Sequence, residues 1–332
     1  MRRIAFVTGG AGFIGSNIAA RLAADRRFEV VVCDWLGDAR EAKWRNIAKH
    51  AISDLVAPEA AFDWLARWWR DVAFVVHMGA ISSTTEPDVD RIVRTNFALS
   101  RDLFRWCADH GRRLIYASSA ATYGDGGLGF DDDNSPEALG ALRPLNAYGW
   151  SKALFDLYAA REAGAGRAPP QWAGLKFFNV YGPNEDHKGP MKSVAAQIWP
   201  DVAAGRSVRL FKSHRPEFAD GGQLRDFVYV RDAVDVVAWL VDRPDVSGLF
   251  NLGTSEARTF QDLAEAVFAA AGQTPRIEYF DMPLELRDRY QYRTEAKMER
   301  LRAAGYNGQL TPLEEGIADY VRGFLSQPDP YR

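Results

Sequence analysis

RIAFVTGGAGFIGSNIAARLAA, residues 3–24, decides the fold. Residues 3–8 make a short apolar run of strand length, glycines break it, and over 13–24 apolar residues recur at helical spacing. The alternation continues outward through FEVVVCD (28–34), a helical stretch at 58–70, AFVVHMG (73–79), a helix at 88–110 and RRLIYASS (112–119). Continuous apolar strands alternating with helices predict parallel strands covered on both faces, an α/β chain with a Rossmann-type doubly wound parallel sheet. A further helix follows Ala147, and WAGLKFFNV (172–180) reads as the sixth strand. Beyond it the alternation loosens into glycines, prolines and charges until DFVYV (226–230), which is strand-like again. The chain therefore divides into a dinucleotide-binding domain, 1–178 and 226–256, and a smaller, discontinuous substrate-binding lobe, 179–225 and 257–332. Trp64, Trp68 and Trp69 share one helix and predict packing against the sheet or a partner subunit.

Composition narrows the class. The 332 residues are 47% hydrophobic and 26% charged, as in globular proteins, and a net charge of −3 lacks the basic excess of nucleic-acid or membrane-surface proteins. Neither partner is expected. The two cysteines, Cys33 and Cys107, lie in apolar runs and read as reduced core thiols, too few for a structural zinc site, so no metal is expected. The first apolar run is too short for a signal peptide or membrane span, which makes the cytoplasm the expected location.

TGGAGFIG sets Gly9, Gly12 and Gly15, with Phe13 and Ile14, between a strand and a helix. Glycine there permits a tight turn and lets backbone N–H groups approach a pyrophosphate at the positive helix end. Asp34 closes the second strand 19 residues after Gly15, where a carboxylate accepts from ribose hydroxyls. It favours NAD, whereas Arg40, Lys43 and Arg45 offer the charge that the 2′-phosphate of NADP wants, and both cofactors stay open. Asp54, after the third strand position, is placed to meet the adenine, Gly79 and Ala80 to let the cofactor pass the fourth strand, and Asn96 to bridge two strand-end loops.

Ser119 closes the fifth strand, and 29 residues later AYGWSK presents Tyr148 and Lys152 at i and i+4 on one helix face. A nearby ammonium favours the phenolate of a tyrosine, and a serine hydroxyl on the same oxygen completes a site where a carbinol becomes a carbonyl.

These motifs, with AISSTTE (80–86), YASSAATYG (116–124), PLNAYGWSK (144–152), FFNVYGPNEDHKG (177–189) and RDFVYV (225–230), resemble the extended short-chain dehydrogenase/reductase family of nucleotide-sugar enzymes, and within it the heptose 6-epimerases. The resemblance implies inversion of C6″ of ADP-D-glycero-D-manno-heptose with bound NADP, NAD being possible. It also implies a cytoplasmic homo-oligomer serving lipopolysaccharide core biosynthesis. That carbinol C–H is not acidic, so inversion runs through a transient ketone that turns and is reduced on its opposite face. The oxygen then points two ways, and one acid/base group cannot serve both. The resemblance makes Tyr148 the first group and Lys188 the second, with Lys152 orienting the ribose and tuning Tyr148. It implies sugar or phosphate contacts for Ser82, Ser83, Thr84, Ser119, Asn179, His187 and Arg225, and closure of the nucleotide pocket by Arg289 and Tyr290. Related dehydratases carry Asp-Glu just after the serine. Ala120 and Ala121 stand there instead, disfavouring dehydration and leaving room for a mobile heptose side chain. Where the family reads Asp-Asn-Leu, this chain has Asp34-Trp35-Leu36, and Trp35 is placed to stack on adenine. A UDP-hexose 4-epimerase, which has no need of Lys188, and a non-catalytic dinucleotide sensor are the competing readings.

Overall fold

A computed structural model of the chain describes residues 3–287 and 290–332. Its strands are β1 Ile4–Thr8, β2 Glu29–Cys33, β3 Ile52–Val56, β4 Val72–His77, β5 Arg113–Ser119, β6 Trp172–Phe177, β7 Asn179–Tyr181, β8 Val208–Phe211, β9 Leu224–Tyr229, β10 Gly248–Leu252, β11 Ala257–Thr259 and β12 Ile277–Phe280. Seven form a parallel sheet in the order β10-β6-β5-β4-β1-β2-β3. The order reverses between β1 and β4, which opens a crevice at their carboxyl ends. This is the predicted Rossmann-type sheet.

Both faces are covered, which explains why the strands read as unbroken apolar runs. Ile18 and Leu22 of the helix Phe13–Ala24 pack with Val234 and Val237 against one face, while Leu65, Leu103 and Phe155 pack against the other. Trp64 belongs to the second layer, stacked on Phe6 of β1 with ring centroids 5.2 Å apart. Cys33 and Cys107 are buried free thiols. Among the described residues no helix is long and apolar enough to cross a membrane, and no cluster of three or more His, Cys, Asp or Glu could hold a metal ion.

The run WAGLKFFNV is not one strand. It divides at Phe178 into β6, in the main sheet, and β7, which pairs with β9 in a three-stranded sheet completed by β11. The cause is tertiary: the Phe178 N–H donates to Leu252 O at 3.1 Å, and its ring sits against Tyr123 and Phe130. Asn179 therefore begins β7 instead of ending β6. A separate core around Phe227, Tyr229, Val267 and Ile317 lies beneath the small sheet, and β8 pairs with β12 beside it.

The helical stretch at 88–110 also has a break. Its helices Val89–Ile92 and Leu99–Asp109 flank a π-helical turn, Val93–Ala98, which holds Asn96.

Candidate active site

The crevice at the strand-order reversal holds a cleft of about 560 Å³, the size of a ligand site. The glycine turn forms its floor. Gly9 has φ +64°, and a Cβ there would lie 2.5 Å from Gly79 N; a Cβ on Gly15 would lie 2.1 Å from Gly9 O. Only glycine lets β1, β4 and the first helix approach this closely, leaving the N-terminus of that helix open to the cleft. Phe13, Ile14, Ala80, Ser82 and Ser83 line the same space.

Asp34, Trp35 and Lys43 form the wall beyond the glycines. Asp34 Oδ2 accepts from Ala11 N at 3.0 Å, tying the glycine turn to the end of β2. Trp35 is 47% exposed, and its indole N–H donates to Glu59 at 2.8 Å. Arg40 pairs with Asp38 on the surface and Arg45 lies over Tyr331, so Lys43 alone of the three basic residues faces the cleft.

On the opposite wall Ser119, Tyr148 and Lys152 come together. Asn146 caps the helix Ala147–Gly164 through Gly149 N, and Gly149 rests on the Ser119 turn, where a Cβ would lie 2.5 Å from Ala121 O. This contact brings Tyr148 within hydrogen-bonding reach of Ser119. Burial raises the Tyr148 pKa and the Ser119 hydrogen bond opposes the rise. Burial brings the Lys152 ammonium down to about 8, with Asp156 opposing. Lys152 Nζ donates to Ala117 O at 2.8 Å, which orients it across the end of β5.

Beneath this trio lies a buried ion pair, Lys176 with Asp156 at 3.0 Å, neither side chain exposed. Ser118 donates to Asp156 at 2.6 Å and Lys176 donates to Thr122 at 2.8 Å, so both charges are hydrogen-bonded as burial demands. His77, at the end of β4, is equally enclosed between Thr8 and Ser100, and burial drives its imidazole down to about 3.

His187 and Lys188 enter from the small lobe on the 3₁₀ turn Asp186–Met191 and line the cleft. Lys188 Nζ sits 5.2 Å from the Phe13 ring centre, and burial lowers its pKa against the opposing pull of Glu185. His187 Nδ1 lies 3.3 Å from Asn46 Nδ2; burial, then the Lys43 and Lys188 charges, bring it down to about 4.

Besides Arg40 and Arg45, the predicted residues Asp54, Thr84, Asn96, Asn179, Arg225 and Tyr290 lie outside this lining. Asp54 is within β3, exposed, and accepts from the Trp64 indole at 2.8 Å, so the edge strand directs it away from the cleft. Asn96 is fully buried and does not join two strand-end loops: it pairs with both backbone groups of Ile81 and donates to Ser151 at 3.0 Å, joining the loop after β4 to the Tyr148 helix. Thr84 and Asn179 are exposed. Arg225, 7% exposed, lies between the rings of Tyr290 and Phe260. Arg289 falls outside the described residues. Sequence reasoning did not find His77, Asp156, Lys176 or Glu185, whose partners are distant in the chain; only Glu185 carried a signal, its place two residues before His187.

Residues 5–253 match the model of the NAD dependent epimerase/dehydratase family, and the chain belongs to that family. It is 48% identical over 328 residues to the ADP-L-glycero-D-manno-heptose-6-epimerase of Nitratidesulfovibrio vulgaris (strain DP4), covering 98% of this chain and 99% of that one. The protein of the same name from Fusobacterium nucleatum is 43% identical over 333 residues, again covering 98% and 99%. Among solved structures, the Helicobacter pylori ADP-L-glycero-D-manno-heptose-6-epimerase matches with a TM-score of 0.79 at 26% identity, covering 98% of this chain and 97% of that chain. The Thermus thermophilus UDP-glucose 4-epimerase complex with NAD matches with 0.72 at 26% identity, covering 96% and 99%.

Proposed function

We propose that this protein inverts C6″ of ADP-D-glycero-D-manno-heptose to the L-glycero epimer, using a tightly held NADP. The observation that carries this reading is that two amine- or phenol-bearing acid/base groups, Tyr148 and Lys188, enter one cleft from different elements, the long helix after β5 and the turn after β7. Near-full-length likeness to proteins named for this activity supports it.

The glycine cradle and the Asp34–Lys43 wall fit a dinucleotide, with the open helix end toward its pyrophosphate. When bound, it accepts hydride from the sugar carbon and returns it. Lys43 supplies positive charge for a 2′-phosphate, which supports NADP over NAD. Tyr148, hydrogen-bonded to Ser119, takes or gives the proton on the carbinol oxygen in one half-reaction. Lys152 holds the adjacent positive charge that favours the phenolate. After rotation about C5–C6 the oxygen faces the other wall, and Lys188 exchanges its proton there. Ala120 and Ala121 place no carboxyl beside Ser119 that could drive elimination of water. We assign 1–178 and 226–256 to cofactor binding and 179–225 and 257–332 to the sugar, with Arg225 toward phosphate. A cytoplasmic homo-oligomer supplying lipopolysaccharide core precursor accords with this reading.

The test is incubation of the purified protein with ADP-D-glycero-D-manno-heptose deuterated at C6″, without added cofactor, followed by NMR. Inversion with the deuterium retained is expected; loss of the label to water would rule out hydride return. Mass spectrometry of the ligand released on denaturation distinguishes NADP from NAD. Full activity in Lys188→Met would favour a single-base UDP-hexose 4-epimerase type of site.

A further inference from the structure

Glu185 is fully buried at the entrance to the turn that carries Lys188. Three donors converge on its carboxylate: Ser193 N at 2.6 Å, Ser193 Oγ at 2.6 Å and the Tyr320 O–H at 3.0 Å. Ser193 caps the helix Val194–Ala203, and Tyr320 ends the helix Leu313–Tyr320. Burial raises the Glu185 pKa, and the Lys188 charge, then these three donors, oppose the rise by favouring the carboxylate. The backbone closes the arrangement, since Lys188 N donates to Glu185 O at 3.0 Å.

We propose that Glu185 is a positioning residue: its carboxylate fastens the turn bearing Lys188 to two helices of the small lobe and supplies the negative charge that keeps the Lys188 amine protonated in the cleft. The proposal rests on Lys188 being the second acid/base group. Among the described residues, no other neighbour supplies that charge. Asp186 is exposed and lies 3.9 Å from Lys192. His187, driven down to about 4, is neutral near pH 7, and Lys43 on the first wall is itself cationic. Phe13 presents only its ring face. Burial works against the Lys188 ammonium, and among the described residues Glu185 is the charged group opposing it.

The experiment is competitive acetylation of the holoprotein across pH, with the Lys188 peptide read by mass spectrometry, alongside the pH–rate profile for epimerisation. In Glu185→Gln the labelling midpoint should fall by about one pH unit or more, a tenfold rise in neutral amine at a given pH. The limb of the rate profile that depends on Lys188 should move the same way. Tyr320→Phe, which keeps the carboxylate, should leave the midpoint in place. Glu185→Met, similar in length and uncharged, is the second charge-free variant should the first not fold. An unchanged midpoint in whichever of these folds would overturn the proposal alone. Full epimerisation by Lys188→Met would instead overturn the acid/base reading, and with it any catalytic part for Glu185, without touching the labelling result.

Discussion

Lys43 Nζ lies 2.7 Å from Asp34 Oδ1 and donates to the Trp35 carbonyl oxygen at the same distance. The carboxylate that would hold a ribose is thus paired with the cation that would hold a phosphate on that ribose. Lys43→Met is expected to weaken NADPH binding by about tenfold or more, the loss of one charge-assisted hydrogen bond of about 1.5–3 kcal/mol. NADH binding should be far less affected. Fluorescence titration of cofactor-stripped protein checks this, and equal losses for both nucleotides would assign Lys43 to the fold alone.

Gly149 is the contact that presses the Tyr148 helix onto the Ser119 turn. Gly149→Ala should push that helix off the backbone of Ala121 and lower kcat by about tenfold or more, since small displacements of an acid/base group are costly. The cofactor released per subunit should stay at its normal amount. A variant with unaltered kcat would show that the turn yields without moving Tyr148.

Burial sets the Lys152 ammonium at about 8, so it is charged below that pH and loses its charge above it. In the proposed mechanism the charged form favours the Tyr148 phenolate. Epimerisation should therefore decline as pH rises through about 8. Lys152→Arg, whose guanidinium stays protonated, should lack that decline even if its plateau rate is lower; persistence of the decline would place it on another group.

His77 titrates near 3 in the folded chain against an ordinary 6.5. Between those values the unfolded chain binds a proton that the folded chain does not, so stability is complete above 6.5 and falls as pH drops. The slope approaches 1.4 kcal/mol per pH unit, about 2 kcal/mol between pH 6.5 and 5. His187 adds to the same trend. Urea unfolding of wild type and His77→Gln at both pH values should show a smaller acid loss in the variant, even though it starts less stable.

What was legible in the sequence was local. The glycine turn, the strands of 3–8, 28–34, 73–79 and 112–119 and the i,i+4 spacing of Tyr148 and Lys152 are short-range facts of the chain, and the structure assembles them as read. The division of 172–180 was not legible, because Phe178 is turned out of β6 by Leu252, which follows it by more than seventy positions. Asp54 was read as following the third strand, whereas it lies inside β3, a boundary that no residue type there marks. Asn96 was read as a bridge, but its partners, Ile81 and Ser151, come from a loop before it and a helix after it. Glu185 was visible as a carboxylate beside the lysine; that it is interior depends on Tyr320, 135 positions away.

The paired charges of Lys176 and Asp156 constrain anyone who would redesign this enzyme. Grafting a single one of them from a relative strands its mate in a region closed to water, with a penalty of about 3–5 kcal/mol. A swap of both at once, to a neutral couple of matching bulk, is the viable edit. Because the couple underlies Lys152, such an edit would retune the reaction's pH response without altering any group that meets the sugar.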